Sequence, residues 1–499
     1  MMPAFTIDVV YQLMPLVVLL VGGLGFMLAG AMTRSAGPLQ RGFALATLFV
    51  TLLYVFKLWG ADAGPILHGM LIMDRFALFF LVVVIICALG TILISNGYLD
   101  RFGLNRGEFF SMVFFSTMGM GVLVSAYDLI SVFLGIELMS LAIYVLVAFR
   151  RRDFFSNEAA LKYFIMGAFA IAFYLFGVSL IYGLCGSTNF EAIAVAVSER
   201  NLAQQPVFLL AIGLIIGAMG FKVSSVPFHM WTPDVYQGAP TPITSFMATA
   251  VKAASFAAFL RLFYTCFMAS KDQWVGIIIV LAILTMTIGN LVALVQRNLK
   301  RMLAYSSIAH AGYIMVGLVA LSVDDTKAAS AIMYYTLVYA FMTMGAFAVV
   351  SLLERRADER GLEGGDYAGL GLRRPFVGLC MAVFMFSLAG IPPTAGFFGK
   401  YYMFSAAVDQ GYVTLAVIGV LNSAVSLYYY LRVVVSMYMQ KSDEAAPTYD
   451  DYATRFVTLV ALLAVLWLGI GPSGWVPGVE TILDWTRASL AGVLELSSR

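Results

Sequence analysis

Charge is what this sequence has least of. Among 499 residues, 12% are Asp, Glu, Lys or Arg, while 61% are hydrophobic and the mean hydropathy is +0.91. A soluble domain is about 45–50% apolar and about 25% charged. A water-facing surface cannot be assembled from this composition, so the chain is read as an integral membrane protein. Intrinsic disorder, a coiled coil and a secreted disulfide scaffold are excluded by the same numbers. The net charge of +2 offers no attraction for a polyanion, which excludes a nucleic-acid-binding protein. Cys87, Cys185, Cys266 and Cys380 are far apart and form no Cys-x-x-Cys, so an iron–sulfur site has no support. Three histidines leave little for haem or metal ligation. No dinucleotide Gly-x-Gly-x-x-Gly occurs, and Gly399-Lys400 is not a phosphate loop, because Thr394 stands where the first glycine is required. These absences predict a chain that carries no redox cofactor and no metal, and that handles energy, if at all, as protons or ions.

What is abundant is apolar sequence in runs long enough to span a bilayer, about 20 residues each. Fourteen such windows are present: 9–31, 42–60, 74–96, 109–126, 128–149, 160–184, 207–226, 240–264, 274–295, 302–321, 329–352, 374–408, 413–438 and 455–471. The runs show no polar–apolar alternation, so a barrel is not supported. The fourth and fifth windows are joined by a very short link at Ala126-Tyr127-Asp128. The twelfth is overlong and interrupted by Pro392-Pro393. The first basic residue, Arg34, follows the first apolar run. A signal peptide starts basic, so the first span is expected to be retained with its N-terminus outside.

The positive-inside rule agrees with that orientation. Loops assigned to the inside hold 17 basic residues: Arg34, Arg41, Arg101, Arg106, Arg150, Arg151, Arg152, Arg297, Lys300, Arg301, Arg355, Arg356, Arg360, Arg373, Arg374, Lys441 and Arg455. Outside loops hold seven: Arg75, Arg200, Arg261, Lys271, Lys327, Arg487 and Arg499. Both termini are therefore expected outside. Lys57, Lys162 and Arg432 lie toward span ends, where snorkelling to the interface is the simple reading. Lys222, Lys252 and Lys400 lie deeper.

Ionisable groups inside a bilayer are costly, roughly 3 kcal/mol at the centre on insertion scales, and proton relays are one of their standard uses. Burial disfavours the charged form, which brings a midplane group into a range where it exchanges protons. Glu137 sits near the middle of the fifth span, Lys222 in the seventh, Lys252 in the eighth and His310 in the tenth. Lys400 follows the Pro392-Pro393 break. Any one of these has a structural alternative, an ion pair or a polar packing contact. Together the five point to a proton path. Glu158 and Lys162 share a helix face and are either a helix-end ion pair or part of proton uptake. His229, two residues after Pro227, is placed to relay protons or to bond carbonyls freed by the break. Asp234 reads as a loop cap, and His68 as a loop residue without a role.

Prolines break the seventh span at Pro227 and the twelfth at Pro392-Pro393, which is tolerable in a membrane only where protein or water satisfies the freed backbone groups. Glu137 and His310 are 173 residues apart, and Lys222 and Lys400 are 178 apart. Both offsets fit a unit of five spans, and an odd number inverts the second unit. The expected fold is an all-α polytopic membrane protein of about 14 transmembrane helices, with two inverted five-helix repeats, each containing a broken helix. Residues 1–105 hold the first three spans, 106–266 the first repeat, 267–440 the second, and 441–499 the last span and an amphipathic C-terminal segment. That segment, 478–494, has an apolar stripe of Val479, Ile482, Leu483, Leu490, Val493 and Leu494, expected to pack on the surface or against a neighbouring subunit.

The stretch Gly220-Phe-Lys222-Val-Ser-Ser-Val-Pro227-Phe-His229-Met-Trp231-Thr-Pro233-Asp234-Val-Tyr236-Gln-Gly238-Ala-Pro240-Thr-Pro242, followed by Lys252, closely resembles the central motif of the proton-translocating antiporter-like family. That family comprises membrane-arm subunits of respiratory complex I and of multi-subunit cation/proton antiporters. Gln296-Arg-Asn-Leu-Lys300-Arg-Met-Leu-Ala-Tyr305-Ser-Ser-Ile-Ala-His310 and Ser387-Leu-Ala-Gly390-Ile-Pro392-Pro393-Thr-Ala-Gly396-Phe-Phe-Gly399-Lys400 agree with it. The resemblance covers roughly 70–440. The wording from Val235, the Lys at position 400 and Tyr428-Tyr429-Tyr430-Leu-Arg432 are most similar to the subunit N branch. The absence of a long extra helix after the fourteenth span points away from subunit L.

The resemblance implies that Glu137 and Lys222 form a pair modulating proton affinity. Lys252 and His310 would carry the proton along a central axis, and Lys400 would lead it outside. It implies no cofactor in this chain, with NADH, FMN, iron–sulfur clusters and quinone in partner subunits, and a bacterial cytoplasmic membrane as location. A cation/proton antiporter subunit is the first alternative reading. A scaffold whose buried charges only hold helices together is the second.

Overall fold

The computed structural model describes residues 6–33, 37–60, 64–354, 362–363, 365–440, 449, 451–470 and 479–497, with side chains as far as 490 in the last helix. Arg34, Arg355, Arg356, Arg360, Lys441 and Arg499, all counted in the charge bias, lie outside the described residues, as do the side chains of Val493 and Leu494. Twelve helices among the described residues are long and apolar enough to cross a membrane. Two shorter apolar helices, Pro375–Ala389 and Tyr452–Trp467, fall in the twelfth and fourteenth windows. The first of these continues past a break as Ala395–Asp409. The sixth helix, Phe154–Cys185, begins several residues before its window, so Glu158 and Lys162 are inside it.

The eighth span (Thr241–Cys266), the tenth (Leu299–Val319) and the eleventh (Lys327–Leu353) are almost wholly buried and form the centre of the bundle. The first, second, sixth and thirteenth present broad apolar faces outward. Leu28, Phe49, Phe169 and Leu421 are exposed there, as lipid-facing side chains must be.

Two helix pairs pack backbone against backbone. The fourth (Gly107–Val124) and fifth (Leu129–Val147) meet at Gly119 and Gly135. A Cβ on Gly135 would lie 2.7 Å from the Leu123 nitrogen, and one on Gly119 would collide with the Met139 nitrogen. The ninth (Met268–Val295) and tenth meet in the same way. A Cβ on Gly289 would lie 2.8 Å from the Ala309 nitrogen, and one on Gly312 would lie 2.7 Å from the Met286 nitrogen. Small residues let membrane helices approach this closely, because dispersion between backbones replaces the missing hydrophobic drive. The short link between fourth and fifth spans is pinned by Asn189, which caps helix Phe190–Glu199 and donates to the Gly69 carbonyl at 2.9 Å. Gly69 lies in a hairpin in which Pro65–Ile66 pairs antiparallel with Leu71–Ile72.

Several charges are not where loop arithmetic put them. Arg261, expected in an outside loop, is 2% exposed at the end of helix Lys252–Arg261. It forms a bidentate pair with Asp74 at 2.6 and 2.9 Å and lies over the Phe76 ring. Asp74 in turn caps helix Arg75–Phe102. Arg432 does not snorkel: it donates to the Leu294 and Gln296 carbonyls at 2.8 and 2.6 Å and closes the C-terminus of the ninth helix. Lys57 is exposed in the last turn of Pro38–Leu58. The C-terminal helix Val479–Ser497 buries Val479, Ile482, Leu483 and Leu490 against helices Arg75–Phe102 and Lys327–Leu353.

Overpacking the glycine contacts is expected to destabilise the bundle. Gly135→Val and Gly289→Val should each cost about 1–3 kcal/mol or more, read as a lower unfolding temperature of the solubilised chain. Gly213→Val, where a Cβ meets nothing within 4 Å, should leave it unchanged.

Candidate functional site

The seventh span, Pro206–Val223, ends inside the bundle and is followed by a short helix, Trp231–Gly238, across a turn in which Ser224 adopts φ +66°. The break is stitched by side chains. The Trp231 indole donates to the Phe221 carbonyl at 3.1 Å, and the Val226 amide donates to Thr285 Oγ1 at 2.9 Å. Lys222 therefore sits in the last turn of a helix that ends inside the bundle, and it is 4% exposed. Its Nζ donates to Ser140 Oγ at 2.7 Å and lies 5.8 Å from the centre of the Tyr163 ring. Ser140 is one turn beyond Glu137 on the fifth helix, so the two share a face. Glu137 is half-buried, and it makes no direct ion pair with Lys222 among the described residues. The Ser140 hydroxyl itself donates to the Ile136 carbonyl, so no hydrogen bond links Glu137 to Lys222 among the described residues.

Lys252 begins an α-helical segment directly after a π-helical turn, Met247–Val251. Such turns recur at functional positions because they leave the local backbone ladder out of register. Lys252 Nζ donates to the Ser307 carbonyl at 2.6 Å and to Ser307 Oγ at 2.5 Å. His310 stands one turn further on the same helix. Its Nδ1 is hydrogen-bonded to the Tyr335 hydroxyl and its Nε2 to the Tyr430 hydroxyl at 3.0 Å; Tyr430 also meets Ser306. Both ring nitrogens are engaged by hydroxyls that donate or accept, so either tautomer is served.

The second break, at Gly390–Thr394, frees the last carbonyls of Pro375–Ala389. Lys400, on Ala395–Asp409, fills them: Nζ donates to the Leu388 and Ala389 carbonyls at 3.0 Å each and to Ser423 Oγ at 2.8 Å. An ammonium at the negative end of a helix is favoured by the dipole as well. Tyr313 links this group to the middle of the bundle. The Lys400 ammonium lies 4.9 Å from its ring centre, and the His310 ring meets it edge to face at 5.5 Å.

None of the three lysines is held by a carboxylate among the described residues. Their partners are hydroxyls and carbonyls, and a hydroxyl can donate to a neutral amine as readily as it accepts from an ammonium. Both protonation states keep a hydrogen bond, which is the requirement for a group that gains and loses a proton without rearranging the core. His229 lies in the turn after the first break, 9% exposed, with Nδ1 buried and unpartnered. No hydrogen bond joins it to Lys222 or Lys252 among the described residues. The four cysteines are buried and free, and no three His, Cys, Asp or Glu side chains converge to hold a metal among the described residues.

At the arginine-rich end lies a polar cavity of about 940 Å³. Its mouth carries Lys162, paired with Glu158 and Asp234 at 2.8 Å each, and Arg301, paired with Asp234 at 2.7 Å. Asp234 is thus the centre of a three-way cluster and not a loop cap. Burial would raise its carboxyl, but the Lys162 and Arg301 contacts outweigh that and hold it below its ordinary value. The floor carries Lys300 and Glu354. Lys300, expected in a solvated loop, is 4% exposed in the first turn of the tenth helix. Sequence reasoning did not single out Ser140, Ser307, Tyr335, Tyr430 or Glu354. The available signals were Ser140 one turn from Glu137 and the Ser306-Ser307 pair within reach of His310.

The match to known proteins follows these positions. Residues 126–426 match the family described as NADH:quinone oxidoreductase/Mrp antiporter, TM, a stretch that contains Glu137, Lys222, Lys252, His310 and Lys400. The NADH-quinone oxidoreductase subunit N of Trichlorobacter lovleyi is 47% identical over 406 residues, 81% of this chain and 82% of that protein. A chain of respiratory complex I from Thermus thermophilus with bound Aureothin superposes with a TM-score of 0.78 at 35% identity, covering 93% of this chain and 98% of that one. A chain of the Mrp complex from Dietzia sp. shares the fold at a TM-score of 0.80 and 20% identity, covering 99% of both. Broken helices bearing buried lysines in an all-helical bundle define an antiporter-like membrane subunit. The chain belongs to the NADH:quinone oxidoreductase/Mrp antiporter transmembrane family, as the three sequence stretches predict, and within it resembles subunit N, as the wording from Val235, Lys400 and Tyr428-Tyr429-Tyr430-Leu-Arg432 predict.

Because the Asp234 carboxyl is held low, its pairing stabilises the protein above the ordinary Asp value of 3.8 and stops doing so as pH falls through the lower folded value. Asp234→Asn is expected to lower the unfolding temperature at neutral pH. The gap to the wild type should close below about pH 4, as followed by thermal unfolding in detergent from pH 7 to pH 3.

Proposed function

We propose that this chain is a proton-translocating membrane subunit of an NADH–quinone oxidoreductase, with no redox chemistry of its own. The observation that carries this reading is the trio of buried lysines, Lys222, Lys252 and Lys400, each bonded to neutral oxygens beside a break or π-turn. Glu137, one turn before Ser140 on the fifth helix, tunes Lys222 by its charge. Lys252 and His310 exchange protons through Ser307 and its helix, and Lys400 delivers them past Tyr313 to the outside. Glu158 and Lys162 serve the mouth of the arginine-rich cavity. His229 remains a secondary relay site in the turn after the first break.

NADH, FMN, iron–sulfur clusters and quinone belong, on this reading, to partner subunits of the same complex, which drive this one electrostatically or conformationally. The chain would lie in the bacterial cytoplasmic membrane with both termini on the outer side. The two five-span units would be an inverted repeat, a reading supported by the matching glycine contacts of the fourth–fifth and ninth–tenth pairs. A cation/proton antiporter subunit is the less favoured reading, since similarity to the Mrp chain is at the level of fold.

The test is Lys222→Ala in the intact complex reconstituted into vesicles. NADH-driven proton pumping is expected to fall while the subunits still co-purify, and Lys222→Arg, which keeps the charge, is expected to be milder. Normal pumping by assembled Lys222→Ala and Glu137→Ala complexes would remove the role assigned here. Lost assembly in place of lost pumping would favour a scaffold. Cation–proton exchange without NADH, by a chain lacking redox partners, would favour the antiporter.

A further inference from the structure

The proposed path has a defined middle and an outer end, and its beginning lies at the floor of the polar cavity. There, Glu354 caps the eleventh helix with a side chain 15% exposed. One of its oxygens accepts from Arg150 at 2.8 Å and the other from the Thr241 hydroxyl. Lys300 Nζ is 3.8 Å away and donates to the Ala239 carbonyl at 2.8 Å. Each neighbouring element adds a group to this floor. Tyr98 meets Arg150, Arg101 on the same helix faces Glu354, and Asp153 lies 3.9 Å from Arg150. Burial would raise the Glu354 carboxyl, but Lys300, Arg150, Thr241 and Arg101 together hold it below its ordinary value, so it is a fixed anion.

Lys300 lines the cavity at its floor, as Arg301 does at its mouth, and both start the helix that carries Ser307 and His310. Ser307 is seven residues on from Lys300, hence on the same face and about 10 Å further into the bundle. Arg150 and Arg101 cannot release a proton in a protein. Lys300 is the one cation on this floor, among the described residues, that can.

Resting on the proton-translocation reading above, we propose that Lys300 is the loading site of the path and Glu354 its positioning counter-ion. In the loading step, the Lys300 ammonium gives its proton to water on the Ser307 side. The neutral amine then takes a proton from cavity water, so one proton enters the path for each one taken up. Glu354 keeps its charge throughout and favours reprotonation.

The experiment uses the intact complex in vesicles, with NADH oxidation, dye-reported proton uptake and subunit co-purification measured together. Lys300→Arg keeps the cation and its contacts but cannot cycle. Pumping is expected to fall by about tenfold or more with assembly retained, since a positioned acid–base group contributes at least that much. Lys300→Met is expected to be equally impaired. Glu354→Gln removes the anion that favours the ammonium and is expected to move the alkaline limb of the pumping–pH profile down by about one pH unit. Near-normal pumping by Lys300→Arg would make Lys300 a structural cation and overturn the proposal. If Lys300 variants fail to assemble, an unshifted pH profile in Glu354→Gln overturns it instead. Lys252→Ala separates the two readings. If it pumps normally, the function itself is wrong; if it fails while Lys300→Arg pumps, only the loading site is wrong.

Discussion

The structure depends on one constraint: a cation inside a bilayer must find oxygen atoms within reach of its own helix or the next. Each buried cation finds them differently. Arg261 takes a carboxylate, Asp74, and joins two helix ends that lie 187 residues apart in sequence. Arg432 takes two carbonyls at a helix terminus. Lys222, Lys252 and Lys400 take hydroxyls and carbonyls. The division matches what the side chains do. The arginines are permanently charged and are held by fixed partners. Those three lysines are held by partners that serve the neutral and the charged form alike.

That division also accounts for the irregular backbone. A continuous helix leaves a lysine only the second lone pair of carbonyls already bonded in the ladder, as Ser307 offers Lys252, whereas a break leaves carbonyls open. The break at Gly390 leaves the Leu388 and Ala389 carbonyls open, and Lys400 occupies both. The π-turn before Lys252 and the turn after Lys222 sit at the corresponding places on their own helices. The freed groups at the first break that no lysine uses are closed by Trp231 and Thr285. Broken helices and buried lysines are two sides of one arrangement.

Much of this was legible in the sequence. Apolar windows locate the spans because a bilayer imposes length. Glu137, Lys222, Lys252, His310 and Lys400 stand out because charge is so scarce around them. Their partners were hidden. Ser307 and Tyr430 are ordinary residues in membrane helices, and each meets its partner across 55 or more residues of sequence. Lys300, Arg261 and Asp234 were misplaced for a related reason. Loop arithmetic assumes that a charge near a span end faces water, and here the bundle folds over those ends. The central helices are buried on all sides, so they show no amphipathic stripe that would tell inward from outward.

The glycine-packed pairs carry a mechanical consequence. At Gly119–Gly135 and Gly289–Gly312 the backbones touch, so sliding one helix along its partner by a turn, about 5.4 Å, would drive side chains into peptide groups. These pairs are rigid struts. Glu137 and His310 each ride on one of them and keep fixed positions. The turns after Lys222 and before Lys400 lie outside these struts, so a rearrangement at either turn need not move Glu137 or His310.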